Sequence, residues 1–142
     1  MFITPSLKLI KLLGIKPEFN DVPQDISNVY KIDTYSYKNE KLFMIVNCMT
    51  LYCRILPICS KKSFDDYICF AFQISRDSLM YCNYSNRGVT GSVNNMKFII
   101  THSANSNGKF ELSMQEEFIN RTTFNHIGGK SPNKMKAELT KR

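Results

Sequence analysis

The sequence predicts a single α+β domain in which a small antiparallel sheet carries packed helices. Three segments with strand-like patterning follow one another between residues 29 and 58, and only short turns separate them. Apolar residues at helical spacing then recur from Phe64 to Phe72. The chain of 142 residues suffices for one domain with a buried core, and neither a repeat nor a low-complexity block divides residues 1–142.

A short helix is predicted near the amino terminus. Thr4 is suited to cap it, Pro5 to occupy its first position and Gly14 to end it. The segment from Ile15 to Ser27 holds two prolines and several acidic residues, so we expect a loop there.

The predicted strands of the sheet cover Val29–Tyr37, Lys41–Cys48 and Leu51–Ile58. The turns between these strands are too short for parallel crossovers, so we expect an antiparallel meander. A helix should begin next to Ser63, because this capping residue precedes two acidic residues in what would be the first turn.

The second half of the chain has weaker patterns. We expect a short strand at Leu79–Tyr84, a polar loop with glycines at Ser85–Ser92 and a helix at Val93–Ala104. Phe110–Asn120 is compatible with either a strand or a helix.

A basic segment, Gly128–Arg142, closes the chain and holds five Lys or Arg residues and one Glu, within a net charge of +7. Ser131 and Pro132 predict a short helix in it that ends near Leu139. Such a segment can hold a polyanion such as nucleic acid, but by itself it favours a solvated surface.

Five cysteines without a CxxC pair predict free, buried thiols in a reducing compartment and no zinc site. No stretch approaches the roughly 20 apolar residues that cross a bilayer. Lys8 and Lys11 interrupt the apolar start, so we expect no signal peptide. The expectation is a cytoplasmic protein with no membrane, metal or cofactor.

The segment with the clearest chemical character is Tyr84–Asn95, YSNRGVTGSVNN, which combines Arg, Gly, hydroxyl and amide side chains and has no acidic residue. A helix start presents free N–H groups, glycines permit close approach, and Arg binds phosphate through two donors. The segment therefore predicts an anion site. A turn followed by a helix cap is the structural alternative, and the pattern matches neither a Walker loop nor a dinucleotide fingerprint.

Residues 86–95, NRGVTGSVNN, resemble the core motif of an uncharacterised family found in bacteria, plasmids and phages, a motif that reads approximately NRSVLGSMND. LKLIKLLGIKP at 7–17, NCMTLYCRIL at 47–56, residues 119–123 and Ser131-Pro132 are similar to other parts of that family, in order. The resemblance implies a shared fold and a shared site, and it implies no activity. Gly88, Thr90 and Asn95 stand where the motif has Ser, Leu and Asp. An Asn at position 95 cannot act as a general base, which disfavours catalysis.

The predicted function is non-catalytic binding of a phosphate-rich ligand, either a nucleic acid or a nucleotide. The residues expected to line the site are Asn86, Arg87, Gly88, Thr90, Gly91, Ser92 and Asn94. The spread of the resembling family among plasmids and phages implies a counter-defence role, for example by binding a host defence protein.

Two alternatives stay open. A small ribonuclease or toxin would use the two histidines, His102 and His126, as acid and base. A protein–protein interaction module or inhibitor would need the motif only for its fold.

Overall fold

The computed structural model describes residues 1–14, 23–58, 64–103 and 112–141. These residues form one five-stranded sheet and five α-helices, which confirms the predicted α+β class. The strands are β1 (Phe2–Pro5), β2 (Val29–Tyr37), β3 (Glu40–Asn47), β4 (Cys53–Pro57) and β5 (Met80–Tyr81). The helices are α1 (Leu7–Leu13), α2 (Phe64–Phe72), α3 (Arg87–Ser103), α4 (Leu112–Arg121) and α5 (Pro132–Thr140).

The central meander of β2, β3 and β4 is antiparallel, as the short turns predicted. Lys38 and Asn39 form the turn between β2 and β3 with positive φ angles of 47° and 65°. Two-residue hairpin turns need such angles to match the twist of the strands, and Asn adopts them readily. Tyr37 therefore pairs with Glu40, which sets the register of the hairpin.

The sheet is mixed, because β1 lies parallel to both β2 and β5 in the order β4-β3-β2-β1-β5. The prediction that Thr4 and Pro5 begin the first helix is wrong: both belong to β1. Ser6 is the helix cap instead, and its Oγ accepts a hydrogen bond of 3.2 Å from Leu9 N. The connection from β1 to β2 includes α1 and is long enough for a parallel crossover.

Two apolar cores lie on the two faces of the sheet. On the α1/α2 face, Ile32 and Phe43 pack with Leu9 of α1 and with Phe64 and Ile68 of α2. The core on the α3/α4 face is larger. It includes Val29, Met44 and Ile55 from the sheet, Val93, Met96 and Ile100 from α3, and Ile119 from α4.

Helix α4 protects the outer edge of β4 from pairing with another strand. Asn120 Oδ1 accepts a hydrogen bond of 2.8 Å from Cys53 N, and its Nδ2 donates one of 2.9 Å to Cys53 O. Glu116, one turn earlier, accepts a hydrogen bond of 3.1 Å from Ile55 N. These side chains occupy backbone groups that an exposed edge would offer to another chain.

Several boundaries differ from prediction. Helix α3 starts at Arg87, so the predicted loop at Ser85–Ser92 is wrong over most of its length. The strand predicted at Leu79–Tyr84 is confined to Met80–Tyr81. The segment Phe110–Asn120, whose sequence is compatible with a strand or a helix, is helical from Leu112 onward.

Other predictions agree with the structure, as far as it describes them. Helix α5 has the predicted cap, because Ser131 Oγ accepts from Lys134 N at 3.2 Å. Ser63 and Cys59 lie outside the described residues, as does most of the loop predicted from Ile15. Cys48, Cys53, Cys69 and Cys82 are free and buried.

Candidate anion-binding site

The amino end of α3 holds the first residues of the predicted motif. Asn86 caps the helix: its Oδ1 accepts a hydrogen bond of 3.1 Å from Val89 N, and its carbonyl accepts one of 3.0 Å from Thr90 N. The backbone N–H groups of Arg87 and Gly88 precede the first helical hydrogen bond, so the helix itself gives them no acceptor. These two donors, with the positive end of the helix dipole, suit an anion.

The Arg87 side chain is exposed at the first position of α3. Within the described part of the chain, its guanidinium takes part in none of the ion pairs or side-chain hydrogen bonds. Between Ser78 and Phe110 the sequence has no Asp or Glu. The guanidinium therefore projects from a stretch of chain that offers it no carboxylate.

His126 lies against this helix start, although it is far away in sequence. It belongs to a 3₁₀ turn, Asn125–Ile127, which the buried side chains of Phe124 and Ile127 hold in place. The backbone of Gly88 packs on the imidazole so closely that an added Cβ would lie 2.0 Å from Nδ1. The glycine at position 88 therefore makes room for the ring and does not supply an unusual backbone angle.

Lys31 approaches the same end of α3 from β2. Its Nζ donates a hydrogen bond of 3.3 Å to Thr90 Oγ1. The crevice between them, which Thr4, Tyr84 and Asn86 also line, has no volume that a water molecule can enter. An anion at this end of α3 would therefore lie on the surface, in reach of Arg87 and His126.

The predicted site residues divide into three groups along α3. Asn86, Arg87 and Gly88 lie at its amino end. Gly91 and Asn94 are exposed farther along the helix. Thr90 is half-buried and Ser92 is buried, where its Oγ donates a hydrogen bond of 2.7 Å to Gly88 O. The structure thus orients Ser92 toward the helix backbone.

The exposed face of α3 continues to an aromatic pair. Arg87, Gly91, Asn94, Phe98 and His102 follow one another at intervals of three or four residues, and all five are exposed. Phe98 is 59% exposed, and its ring stacks on the His102 imidazole with centroids 3.8 Å apart. His102 Nδ1 also lies 2.8 Å from Phe98 O.

The sequence did not single out Lys31, and it pointed to His126 only as a catalytic candidate and not as a neighbour of the motif. Lys31 is 55 residues before the first residue of the motif, Asn86, and His126 is 31 residues after its last, Asn95. No local pattern relates them to it. Their proximity follows from the position of β2 beside α3 and from the turn that follows α4.

The described residues include neither a metal-binding cluster nor a membrane-spanning helix. No three His, Cys, Asp or Glu residues among them converge as a metal site would require. None of the helices in the described ranges has the length and apolar character needed to cross a membrane. Two lysines of the basic segment have partners within the protein. Lys130 forms an ion pair with Glu138 at 2.8 Å, and Lys136 lies over the Tyr52 ring.

No protein-family model matches the chain, and no curated protein matches it with statistical significance.

Proposed function

We propose that this protein is a non-catalytic binding protein for a phosphate-rich ligand, a nucleic acid or a nucleotide, and that it binds this ligand along α3. The observation that carries the proposal is the Arg87 side chain. It is exposed, it has no carboxylate partner among the described residues, and it lies beside two backbone donors at a helix start.

Stability does not account for an arginine at this position. A positive charge at the amino end of a helix opposes the helix dipole, so Arg87 costs free energy in the absence of an anion. An anion would reverse this effect, because the guanidinium, the two N–H groups and the dipole would then all attract it.

The charge distribution supports an extended ligand. The net charge is +7, and residues 78–110 contribute cations without a single carboxylate. The face from Arg87 to His102 spans about 22 Å at 1.5 Å per residue, about the length of six base-pair steps. Exposed aromatic rings such as Phe98 offer a stacking surface to unpaired bases.

The geometry does not support a nuclease that uses both histidines. His126 lies beside Gly88, whereas His102 is 14 residues farther along α3. This separation is about 21 Å along the helix axis. An acid and a base must both reach the same substrate within hydrogen-bond distance, so these two side chains cannot act as a pair.

The proposal can be tested by fluorescence polarisation with a labelled single-stranded oligonucleotide and its duplex, over a range of salt concentrations. We expect binding that weakens as salt increases, and a smaller salt slope for Arg87→Ala. Lys8→Ala is the matched control, because Lys8 is an exposed cation on α1, on the opposite face of the sheet. An equal loss of binding affinity in both variants would indicate nonspecific attraction by the net charge and would contradict a site on α3.

A further inference from the structure

A cleft of about 440 Å³ opens beside the sheet, between the carboxyl end of α2 and helix α5. Three aromatic residues, Tyr30, Tyr52 and Phe72, contribute to its walls, together with two cations, Arg54 and Lys136. Tyr30 belongs to β2, but it packs on the α1/α2 face, whereas its neighbour Lys31 reaches α3. The cleft is therefore separate from the anion site proposed above.

The aromatic rings are partly open to the cleft. Phe72 meets Tyr30 edge-to-face, with ring centroids 5.4 Å apart and an interplanar angle of 63°. Both rings and that of Tyr52 are half-buried. The Nζ atom of Lys136 lies 3.8 Å from the Tyr52 centroid, and both residues line the cleft. Cation–π attraction at such an exposed position is weak, so a stacking ring can displace the lysine.

The two cations have different freedom. Arg54 is fixed: its Nη1 donates a hydrogen bond of 2.6 Å to Ala71 O at the end of α2, and its guanidinium lies 5.2 Å from the Phe72 centroid. Lys136 is exposed on α5 and can move. The described residues that line the cleft include no Asp or Glu. Arg54 Nε lies 3.7 Å from Glu116 Oε1 behind the cleft, so Lys136 is the lining cation that has no carboxylate of the described residues within ion-pair distance.

A rigid turn presents Tyr52 to the cleft. Asn47 Oδ1 accepts hydrogen bonds of 3.0 Å from Met49 N and Thr50 N, and its Nδ2 donates one of 2.7 Å to Ser27 O. Thr50 Oγ1 accepts one of 3.1 Å from Tyr52 N, and Leu51 adopts a positive φ of 59°. A preorganised ring loses little entropy when a ligand stacks on it.

We infer that this cleft binds a nucleotide, with the planar base against Tyr52 and Phe72 and the phosphate between Lys136 and Arg54. Its volume lies within the range of about 300–1,000 Å³ that is usual for small-molecule sites. Aromatic rings stack on any base. The Lys136 ammonium and the guanidinium N–H groups of Arg54 that do not face Glu116 are suitable donors to a phosphate. On binding, the Lys136 ammonium would leave the Tyr52 ring and pair with the phosphate.

Isothermal titration of the full chain with adenosine 5′-monophosphate tests the inference. We expect Lys136→Gln to weaken binding about tenfold, the effect of losing one charge-assisted contact. Lys134→Gln is the matched control, because Lys134 is an exposed cation on the same helix that does not line the cleft. Both side chains are exposed, so neither variant should disturb folding.

Tyr52→Leu should also weaken binding about tenfold or more, through the loss of base stacking. Adenosine, which has no phosphate, should bind wild type and Lys136→Gln equally. The inference fails if adenosine 5′-monophosphate does not bind at millimolar concentration, or if Lys134→Gln and Lys136→Gln have the same effect.

The nucleotide could be free or part of a single strand, and an oligonucleotide competitor separates these sources. If the oligonucleotide displaces the mononucleotide from the wild-type protein, the cleft binds nucleotides that belong to a single-stranded nucleic acid. If it does not, the cleft is a site for a free nucleotide. Lys136→Gln and Tyr52→Leu change only the cleft, whereas Arg87→Ala in the polarisation measurement with the oligonucleotide tests α3. The inference and the function proposed for α3 can therefore fail independently.

Discussion

Gly88 and His126 are in direct contact, and the imidazole fills the space in which any larger residue at position 88 would place its Cβ. The distances from such a Cβ to Nδ1 and Cε1 would be 2.0 Å and 2.3 Å. The presence of Gly at position 88 therefore has a physical reason in His126.

A double-mutant cycle should detect this contact. Gly88→Ala gains helix propensity but forces the His126 ring out of its place, whereas in a His126→Ala background the new methyl group has room. We expect the two free-energy changes of unfolding, from urea titrations, to differ by about 1 kcal/mol or more. Additive effects would mean that the ring moves aside without cost.

Arg87 should contribute to binding and little to folding. Arg87→Ala should cost a phosphate ligand roughly 1.5–3 kcal/mol of binding free energy, because a charge-assisted hydrogen bond is lost. Arg87→Lys should restore part of this, since lysine lacks the planar fork. Thermal denaturation should show a change in stability within about 0.5 kcal/mol. A sharp fall in melting temperature with unchanged binding would instead favour the interaction module, with the motif as part of the fold.

Glu116 should make stability depend on pH. Burial raises the pKa of this carboxyl, although the hydrogen bond from Ile55 N and the charge of Arg54 oppose the shift. The folded state therefore binds the proton more tightly than the unfolded state does. The contribution of Glu116 to stability is greatest below its ordinary pKa of 4.5 and decreases as pH rises through the raised value.

The free energy of unfolding of Glu116→Gln, relative to that of wild type, should therefore increase between pH 4.5 and neutrality. The Gln carbonyl can still accept from Ile55 N, so the edge of β4 stays covered. Urea unfolding at both pH values measures the difference. Glu117→Gln, at the exposed neighbouring position, is the matched control for replacing a carboxylate by an amide on α4.

The cysteines should react slowly in the native protein. Burial raises the pKa of the Cys48 thiol to about 12 and also raises the pKa of Cys53. Because the thiolate is the reactive form, a thiol reagent at neutral pH should reach these two only on unfolding. Titration of the denatured, unreduced protein should count close to five thiols. A count near one would indicate two disulfides and contradict the predicted reducing compartment.

Local signals in the sequence determined part of this fold. Partial alternation in one segment, a dense apolar run in the next and a short turn between them predicted β2 and β3, although Glu40 belongs to β3 and not to the turn. Ser131 with Pro132 predicted the start of α5. The exposed arginine at the motif was also predictable, because polar and glycine residues surround it. In each case the residues that form the element, or their immediate neighbours, supply the hydrogen bonds or caps that define it.

Tertiary structure decided the rest, because the stabilising partners are distant in sequence. Strand β1 exists through its pairing with β2 and β5, which no feature of its four residues foretells. Helix α3 extends back to Arg87 because burial of Val89 in the core offsets the cost of Gly88 and Gly91, about 1 kcal/mol each. The packing of the turn after α4 brings His126 to Gly88, and the turn before β4 meets α2 and α5 to form the cleft. Burial and strand pairing between such distant segments add free energy that local propensity does not contain.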